Sequence, residues 1–523
     1  MISVFYHRWH QHPRHPFWHW VFFSFVAIFV FNHLYTLSIQ IPQAQAAGNT
    51  YYVSTAGNDS NPGTQSQPWK TFAYAIPKLN PGDTLLLKDG TYNGANQNNP
   101  AFLITISKSG TAGQAITMKA ENDGKAIIDG ESVRHTFLLA NQSYWNFEGF
   151  VVKNAGKSSA PGNNASGFNI SGGDHLNFKR MSGYNSDQTQ NSHIFSVAGS
   201  SYILFEDSVA SGLGRTMWTI LNSHHVTLRR SWGMGKGHSG GGGPLGLEQT
   251  YGSSDVIVEN FVGGGQTTQM MDGIGTWANY YNPAANRNKY YGNVVFGDFH
   301  GDWSFKSASA KYRIGDDFWV NNVGIGNPYG FLNRGNADLY ISNLTLIDAD
   351  QLGLWASHYP CENDPNCGLL ATDYQVNTVV KNSVLSSGGG GSALGKEAHP
   401  TVSIFAHTFN NMDGFSAMYS GTSAGTGEIN LRPAYDTASY GKGAYLIRPS
   451  NLKGKGEGGA DLGAEVLYRY QDGALTSDPL WPWLMEQRIC AETGYSVTYE
   501  QGYSGCANGG GIWKTLNGIY SAA

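Results

Sequence analysis

A chain of 523 residues with a formal charge of −5 has no basic excess with which to hold nucleic acid, and it is long enough for several ordinary domains. Charged residues are only 14%, aromatics 13%, and there are 68 glycines, which suits many short strands joined by tight turns rather than long amphipathic helices. A solenoid can reach this length as one unit by adding coils.

Residues 1–46 differ from the rest. A His-, Arg- and Trp-rich front ends at Trp20, an apolar run follows from Val21 to Phe31, and Ala44-Gln45-Ala46 precedes Ala47. That order predicts a secretory signal peptide over 1–46, with an uncleaved N-terminal anchor as the alternative because apolar residues continue to Ile41. No other segment is apolar enough to span a bilayer. Cleavage would remove Arg8 and Arg14 and no acid, leaving 31 Lys and Arg against 38 Asp and Glu, a charge of −7. The expectation is a secreted or periplasmic bacterial protein, monomeric, with no membrane or nucleic-acid partner. An acidic glycan would then need local Lys, Arg or bound calcium.

The exported part opens with Tyr51-Tyr52-Val53-Ser54, Gly57-Asn58-Asp59, Asn61-Pro62-Gly63-Thr64, Pro68-Trp69-Lys70-Thr71 and Pro81-Gly82-Asp83-Thr84, leading to Asp89-Gly90-Thr91-Tyr92. Between them Phe72, Ala73, Ile76 and Leu79 put apolar groups on one side of a short helix that Pro77 limits. Such a helix is a suitable cover for the open end of a solenoid, which otherwise exposes its hydrophobic cross-section and unpaired strand edges. This order of motifs resembles the N-terminal segment of bacterial right-handed parallel β-helix proteins, a group that includes family 9 pectate lyases and the chondroitinase B and alginate lyase relatives. The resemblance implies an all-β, right-handed parallel β-helix over 47–450, and residues 451–523 are expected to form a C-terminal capping extension.

From Tyr144 onward one turn per coil falls near Gly149, Arg180, Asp207, Arg230, Asn260, Asn293, Asn322, Asn343 and Asn382, at irregular steps of roughly 20 to 40 residues, as variable loops between short strands would give. Asn tolerates the left-handed backbone of a tight turn, and its amide can bond to the next coil. A second strand aligns before each turn: Phe168-Asn169-Ile170, Phe195-Ser196-Val197, Trp218-Thr219-Ile220, Leu245-Gly246-Leu247, Ile274-Gly275-Thr276, Phe305-Lys306-Ser307 and Phe331-Leu332-Asn333. Strand alternation sends the first residue of each triplet inward and the middle one outward. Asn169, Ser196, Thr219, Gly246, Gly275 and Lys306 then share an outer face, on which Lys306 is the charged member.

A lone outward lysine is ordinarily a solvated residue; here its small neighbours and the nearby Arg334 make it a candidate for chemistry. Asp302-Trp303-Ser304-Phe305-Lys306-Ser307 with Gly330-Phe331-Leu332-Asn333-Arg334 resembles the Gly-Phe-Lys coil and following Gly-Phe coil of family 9 lyases, and the Lys-Ser and Arg-containing coils of the chondroitinase B relatives. The resemblance implies Lys306 as the base that removes a proton and Arg334 as its assistant; His300 and Tyr329, nearby and able to donate a proton, are the candidates for protonating the leaving oxygen. Asn333, Trp303, Glu248 and Trp277 are candidate substrate contacts, with Glu248 taken as the next outward position beyond Gly246. Asp272 and Asp302 are candidate calcium ligands, although the nearby acids are scattered rather than clustered. The rival classes are a glycoside hydrolase, which requires two carboxyl groups across a groove, and a non-catalytic glycan-binding surface protein using its aromatics. Export makes disulfides the expected state of the four cysteines, and nearness favours Cys361 with Cys367 and Cys490 with Cys506 among the three possible connectivities.

Overall fold

The computed structural model describes residues 48–494 apart from 99–100, 157–164, 188–190, 239–245, 266–271, 279–287, 297–302, 310–316, 335–337, 358–376, 400–401 and 403. The described strands form three long parallel sheets of 13, 12 and 12 strands, each linking every third strand in chain order. Each coil therefore contributes one strand to each sheet, which is a parallel β-helix, and its crossovers are of the right-handed kind. Among the described residues no helix is long and apolar enough to cross a membrane.

At the N-terminal end Thr71 caps a helix over Phe72–Ala75, its hydroxyl accepting from the Tyr74 amide, and a 3₁₀ turn over Ile76–Lys78 follows. Phe72, Ala75, Ile76 and Leu79 are buried in the main core. Ala75 takes the inward place expected for Ala73, which is exposed, because the chain tightens at Pro77.

The turn after each first-sheet strand is left-handed at Gly149, Arg180, Asp207, Arg230, Asn260, Asn343 and Asn382. In two coils the left-handed residue is Gly292 or Asn321, one place before the expected Asn293 and Asn322. The residue after the turn points inward and links the coils. The Oδ1 of Asn293 accepts from the Phe261 amide (2.9 Å), and that of Asn322 accepts from the Asn293 amide (3.1 Å). Ser208, Ser231, Ser383 and Asn410 do the same in other coils.

The left-handed asparagines themselves face out and hold the returning C-terminal segment. Asn321 Nδ2 donates to the Tyr470 hydroxyl (2.7 Å), Asn343 Nδ2 donates to the carbonyls of Asp461 and Gly463, and Asn382 Oδ1 accepts from the Glu457 amide. Further on, Glu492 accepts from the hydroxyls of Ser182 and Tyr184, while Arg488 donates to the Arg180 carbonyl. Leu446, Val466, Trp481, Trp483 and Ile489 of this segment pack on Val209, Trp232, Val262, Val294 and Val323 of the third sheet. That sheet's outer face is thereby covered lengthwise, which leaves the second sheet as the place for a groove.

Candidate active site

Two rows of paired residues run along the second sheet. Ser196, Thr219, Gln249, Gly275, Lys306 and Leu332 occupy successive rungs of one. His193, Thr216, Gly246 and Asp272 occupy successive rungs of the other, and farther along the sheet Trp303 pairs with Tyr329. At His193 and Thr216 strand alternation is interrupted between this row and the core. Ile194 and Phe195 are both fully buried in the core, as are Met217 and Trp218. His193 accordingly meets an outward residue, its Nδ1 lying 3.0 Å from the Thr219 hydroxyl.

Lys306 pairs with Gly275 on one side and Leu332 on the other, in the register read from the sequence. Its side chain, like those of Trp303 and Trp277, lies outside the described residues, as do His300, Asp302, Cys361, Cys367 and Cys506 wholly. Trp277 occupies a rung between Tyr251 and Ala308, beyond the Lys306 row. Cys490 lies on the helix Glu486–Thr493. Arg334 pairs with Ala308 and is half-buried, two positions along its strand from Leu332. The Tyr329 hydroxyl donates to Gln351 Oε1 at 2.8 Å. Asn333 goes the other way: it is fully buried, and its Nδ2 donates to the Thr378 hydroxyl at 2.8 Å. It therefore lies behind the Lys306 strand and not in the groove.

One stretch is read differently by the structure. The expected alignment set Leu245-Gly246-Leu247 beside Ile274-Gly275-Thr276, but Glu248 pairs with Ile274, Gln249 with Gly275 and Thr250 with Thr276, a slip of three residues. Gln249 replaces Gly246 in the outer row, and Glu248 enters the inward row between Trp218 and Ile274. The mistake has a clear source, since hydrophobic patterning assigns inward positions to apolar residues and Leu-Gly-Leu mimicked the neighbouring Ile-Gly-Thr.

Glu248 is 1% exposed. It accepts from the Thr250 hydroxyl at 2.8 Å, while its Oε2 is buried with no hydrogen-bond partner. Burial raises its pKa from 4.5 to about 8, against the opposing pull of the Thr250 hydroxyl and the Gly275 backbone. Nearby, the Tyr290 hydroxyl meets the Thr276 hydroxyl at 2.7 Å, and its own pKa is pushed far up by burial and by the Glu248 and Asp317 charges. Behind the groove strands there is thus a neutral, hydrogen-bonded seam.

Beside these rows lie two groups that sequence reasoning passed over, His193 and Arg215. His193 is held neutral, its pKa lowered to about 3 by burial and by the charges of Arg215 and His238. His238 is buried, and its pKa is lowered by burial and Arg215, with Asp187 opposing. His193 and Arg215 sit in loops and strand starts with no local signature, so only the coil register could have found them. Among the described residues no three His, Cys, Asp or Glu side chains converge as metal ligands. Asp272, 9% exposed, is the one member of the expected calcium pair that is described; Asp302 lies outside the described residues.

Comparison with known proteins agrees with the architecture. A family model described as the Pel9A-like right-handed β-helix region matches residues 51–210, ending before the coil of Lys306. Pectate lyase L of Dickeya dadantii (strain 3937) is 34% identical over 116 residues, 21% of this chain and 27% of that protein. Pectate lyase PEL9 of Emericella nidulans is 35% identical over 85 residues, 16% of this chain and 19% of that protein. The chain thus matches about a quarter or less of the length of these relatives. Among solved structures, the A-module of the Azotobacter vinelandii mannuronan C-5 epimerase AlgE6 aligns with a TM-score of 0.50 at 10% identity, covering 67% of this chain and 91% of that one. Pectate lyase Pel9A aligns with a TM-score of 0.38 at 17% identity, covering 88% and 94%. The chain resembles right-handed parallel β-helix proteins of the polysaccharide-lyase kind.

Proposed function

We propose that this protein is a secreted enzyme that cleaves a uronate-containing polysaccharide by β-elimination. What supports this reading is the order of residues paired along the second sheet. There Lys306 follows the side-chain-free Gly275 in one row, while Asp272 belongs to the next row and Trp303 pairs with Tyr329 farther along. A cation-bearing residue beside open backbone suits a base that must approach a sugar ring.

In this reading the Lys306 amine, in its neutral form, takes the C5 proton of a uronate. The electron pair left at C5 forms a C4–C5 double bond as the C4–O bond breaks, and the leaving glycosidic oxygen takes a proton from Tyr329 or His300. Arg334 neutralises the carboxylate, which stabilises the charge that builds up as C5 loses its proton. Trp303 and Trp277 are sugar-stacking candidates. Glu248 and Asn333, both buried behind the sheet, support the strand rather than touch substrate. Calcium remains the alternative partner for the carboxylate, and no step depends on it.

Residues 1–46 act as the export signal in this proposal, the helix domain over 47–450 works as a monomer, and 451–523 reinforce it, with Cys361–Cys367 and Cys490–Cys506 as disulfides. The test is incubation with uronate polymers, following the ultraviolet absorbance of unsaturated ends with and without a chelator. Wild type should produce that absorbance and Lys306→Ala should lose it by about 10²- to 10⁴-fold. Full activity in Lys306→Ala would remove the assigned base. New reducing ends without absorbance would mean hydrolysis, and binding without products would mean a glycan-binding protein.

A further inference from the structure

At the C-terminal end of the helix a hydroxyl, an imidazole and a carboxylate stand in line. His407 lies on the first-sheet strand Ile404–Thr408, and Thr422 and Glu428 lie in the stretch that follows the second-sheet strand Ala417–Ser420. The Thr422 hydroxyl is 3.0 Å from His407 Nε2, and His407 Nδ1 is 2.7 Å from Glu428 Oε1. The side chains of His407 and Glu428 are 3% and 1% exposed. Thr422 is half-buried between the exposed Gly421 and Ser423, so the hydroxyl end of the row is the one nearest solvent.

The chemistry of the three groups fixes the direction of these bonds. Burial raises the Glu428 pKa, but hydrogen bonds from His407, the Gly425 amide, Tyr419 and Asn410 outweigh it and hold the group below its ordinary value. An ionised carboxylate only accepts, so the His407 proton sits on Nδ1 and points to Glu428. In the neutral ring Nε2 is then an acceptor, and Thr422 donates to it. That is the order of nucleophile, general base and orienting acid used in acyl transfer. The loop is held without this row: the Tyr419 hydroxyl, the Gly425 amide and Asn410 Nδ2 reach Glu428 at 2.7, 2.8 and 3.2 Å. The Phe409 amide donates to the Thr426 carbonyl, and the Ile429 amide to the Asn410 carbonyl. Gly425 packs so closely that a Cβ there would come within 1.8 Å of the His407 carbonyl oxygen, which sets the loop firmly against the imidazole. The bond from Thr422 to Nε2 adds to these a hydroxyl whose proton has a base to receive it.

We propose that Thr422 and His407 form a hydrolytic site for esters of small acyl groups, with Glu428 as the positioning residue. The site uses none of the residues assigned to β-elimination and stands or falls apart from that reading. Thr422 Oγ1 attacks the ester carbonyl carbon while its proton passes to His407 Nε2. The C–O bond to the alcohol breaks, and the alcohol leaves with that proton. Water then attacks the acyl carbon on Thr422 and gives a proton to Nε2; the bond to Oγ1 breaks, the acid leaves, and Thr422 takes the proton back. Ester and water become acid and alcohol, with no other reactant. Glu428 keeps the Nδ1 proton in place and offsets the charge of the imidazolium formed in each half.

The experiment gives the full-length protein p-nitrophenyl acetate and, separately, a fluorophosphonate that labels activated hydroxyls, with the labelled residue mapped by mass spectrometry. Wild type should release p-nitrophenolate above the protein-free rate and carry the label on Thr422. Thr422→Ala and His407→Gln should lower hydrolysis by about 10²-fold or more. Thr422→Ser should keep it, and Glu428→Gln should lower kcat with KM unchanged. No turnover by wild type, hydrolysis undiminished in Thr422→Ala, or no label on Thr422 overturns the proposal. A row that only holds the loop would change the melting curves of these variants and leave their rates of hydrolysis equal to that of wild type, which also overturns it. If His407→Gln does not fold, Thr422→Ala, which removes one half-buried hydroxyl, decides the matter together with the position of the label.

Discussion

In the coils of Phe168, Phe195 and Trp218 the interior of the second sheet is a continuous aromatic stack, with ring centroids 4.4 and 3.9 Å apart. In the following coils Glu248 takes the rung after Trp218, and the neighbouring inward row that runs through Ile220 continues with Thr250, Thr276 and Asn333, all buried. The backbone is the same in both regions, but the stabilising physics differs. The aromatic stack depends on shape and on area removed from water, and it is indifferent to pH. The polar seam is stable only while its groups remain neutral and hydrogen-bonded. It lies behind the strands that carry Gly275 and Lys306, the strands to which the proposed function assigns the chemistry.

Removing a ring from the stack should have the largest effect on stability. Phe195→Ala is expected to lose about 3–5 kcal/mol in denaturant unfolding, with no change in any lyase rate per folded molecule. A loss below about 1 kcal/mol would mean that the stack can collapse onto the gap and is not the stiff region proposed here.

Glu248 probes the other side of the comparison through pH. The carboxyl ionises near 4.5 in the unfolded chain and near about 8 in the folded one. Between these values the unfolded chain sheds a proton that the folded chain keeps. The stability from this group is therefore fully present below about 4.5 and falls as pH rises through the window, by up to about 1.4 kcal/mol per pH unit. Glu248→Gln cannot ionise, so the difference in unfolding free energy between variant and wild type should shift toward the variant from about pH 5 to about pH 8. A parallel pH dependence in the two proteins would show that Glu248 is not held neutral inside.

The inward asparagine ladder is a third, smaller probe. Asn322→Ala leaves the Asn293 amide, which donates to Asn322 Oδ1 at 3.1 Å, without its acceptor, and should cost about 1–3 kcal/mol by thermal unfolding. Smallest of all is the exposed pair Lys381–Glu457, 3.0 Å apart. Glu457→Ala should change stability by less than about 1 kcal/mol, and less again in high salt. A larger effect would mean that the returning C-terminal segment is held there by charge rather than by the Asn382 contact to the Glu457 backbone.

The sequence by itself determined the coil. Apolar triplets repeat with turn-forming Gly, Asn, Asp and Arg between them, and those local preferences suffice to align Asn169, Ser196, Thr219, Gly275 and Lys306 in one row, though not Gly246, because strand alternation and left-handed turns act over a few residues. Only the tertiary structure decided what depends on neighbours from other coils. It moved Glu248 from the groove to the interior, since no local pattern announces a buried acid and the slip of three residues is detectable only through pairing with Trp218 and Ile274. It turned Asn333 inward to Thr378, 45 residues away. It gave the left-handed asparagines a second task, holding a segment that arrives from the far end of the chain. It also set Arg215 beside Ser192, where among the described residues no carboxylate pairs with it, a juxtaposition that follows from coil stacking and from nothing in the residues around Arg215.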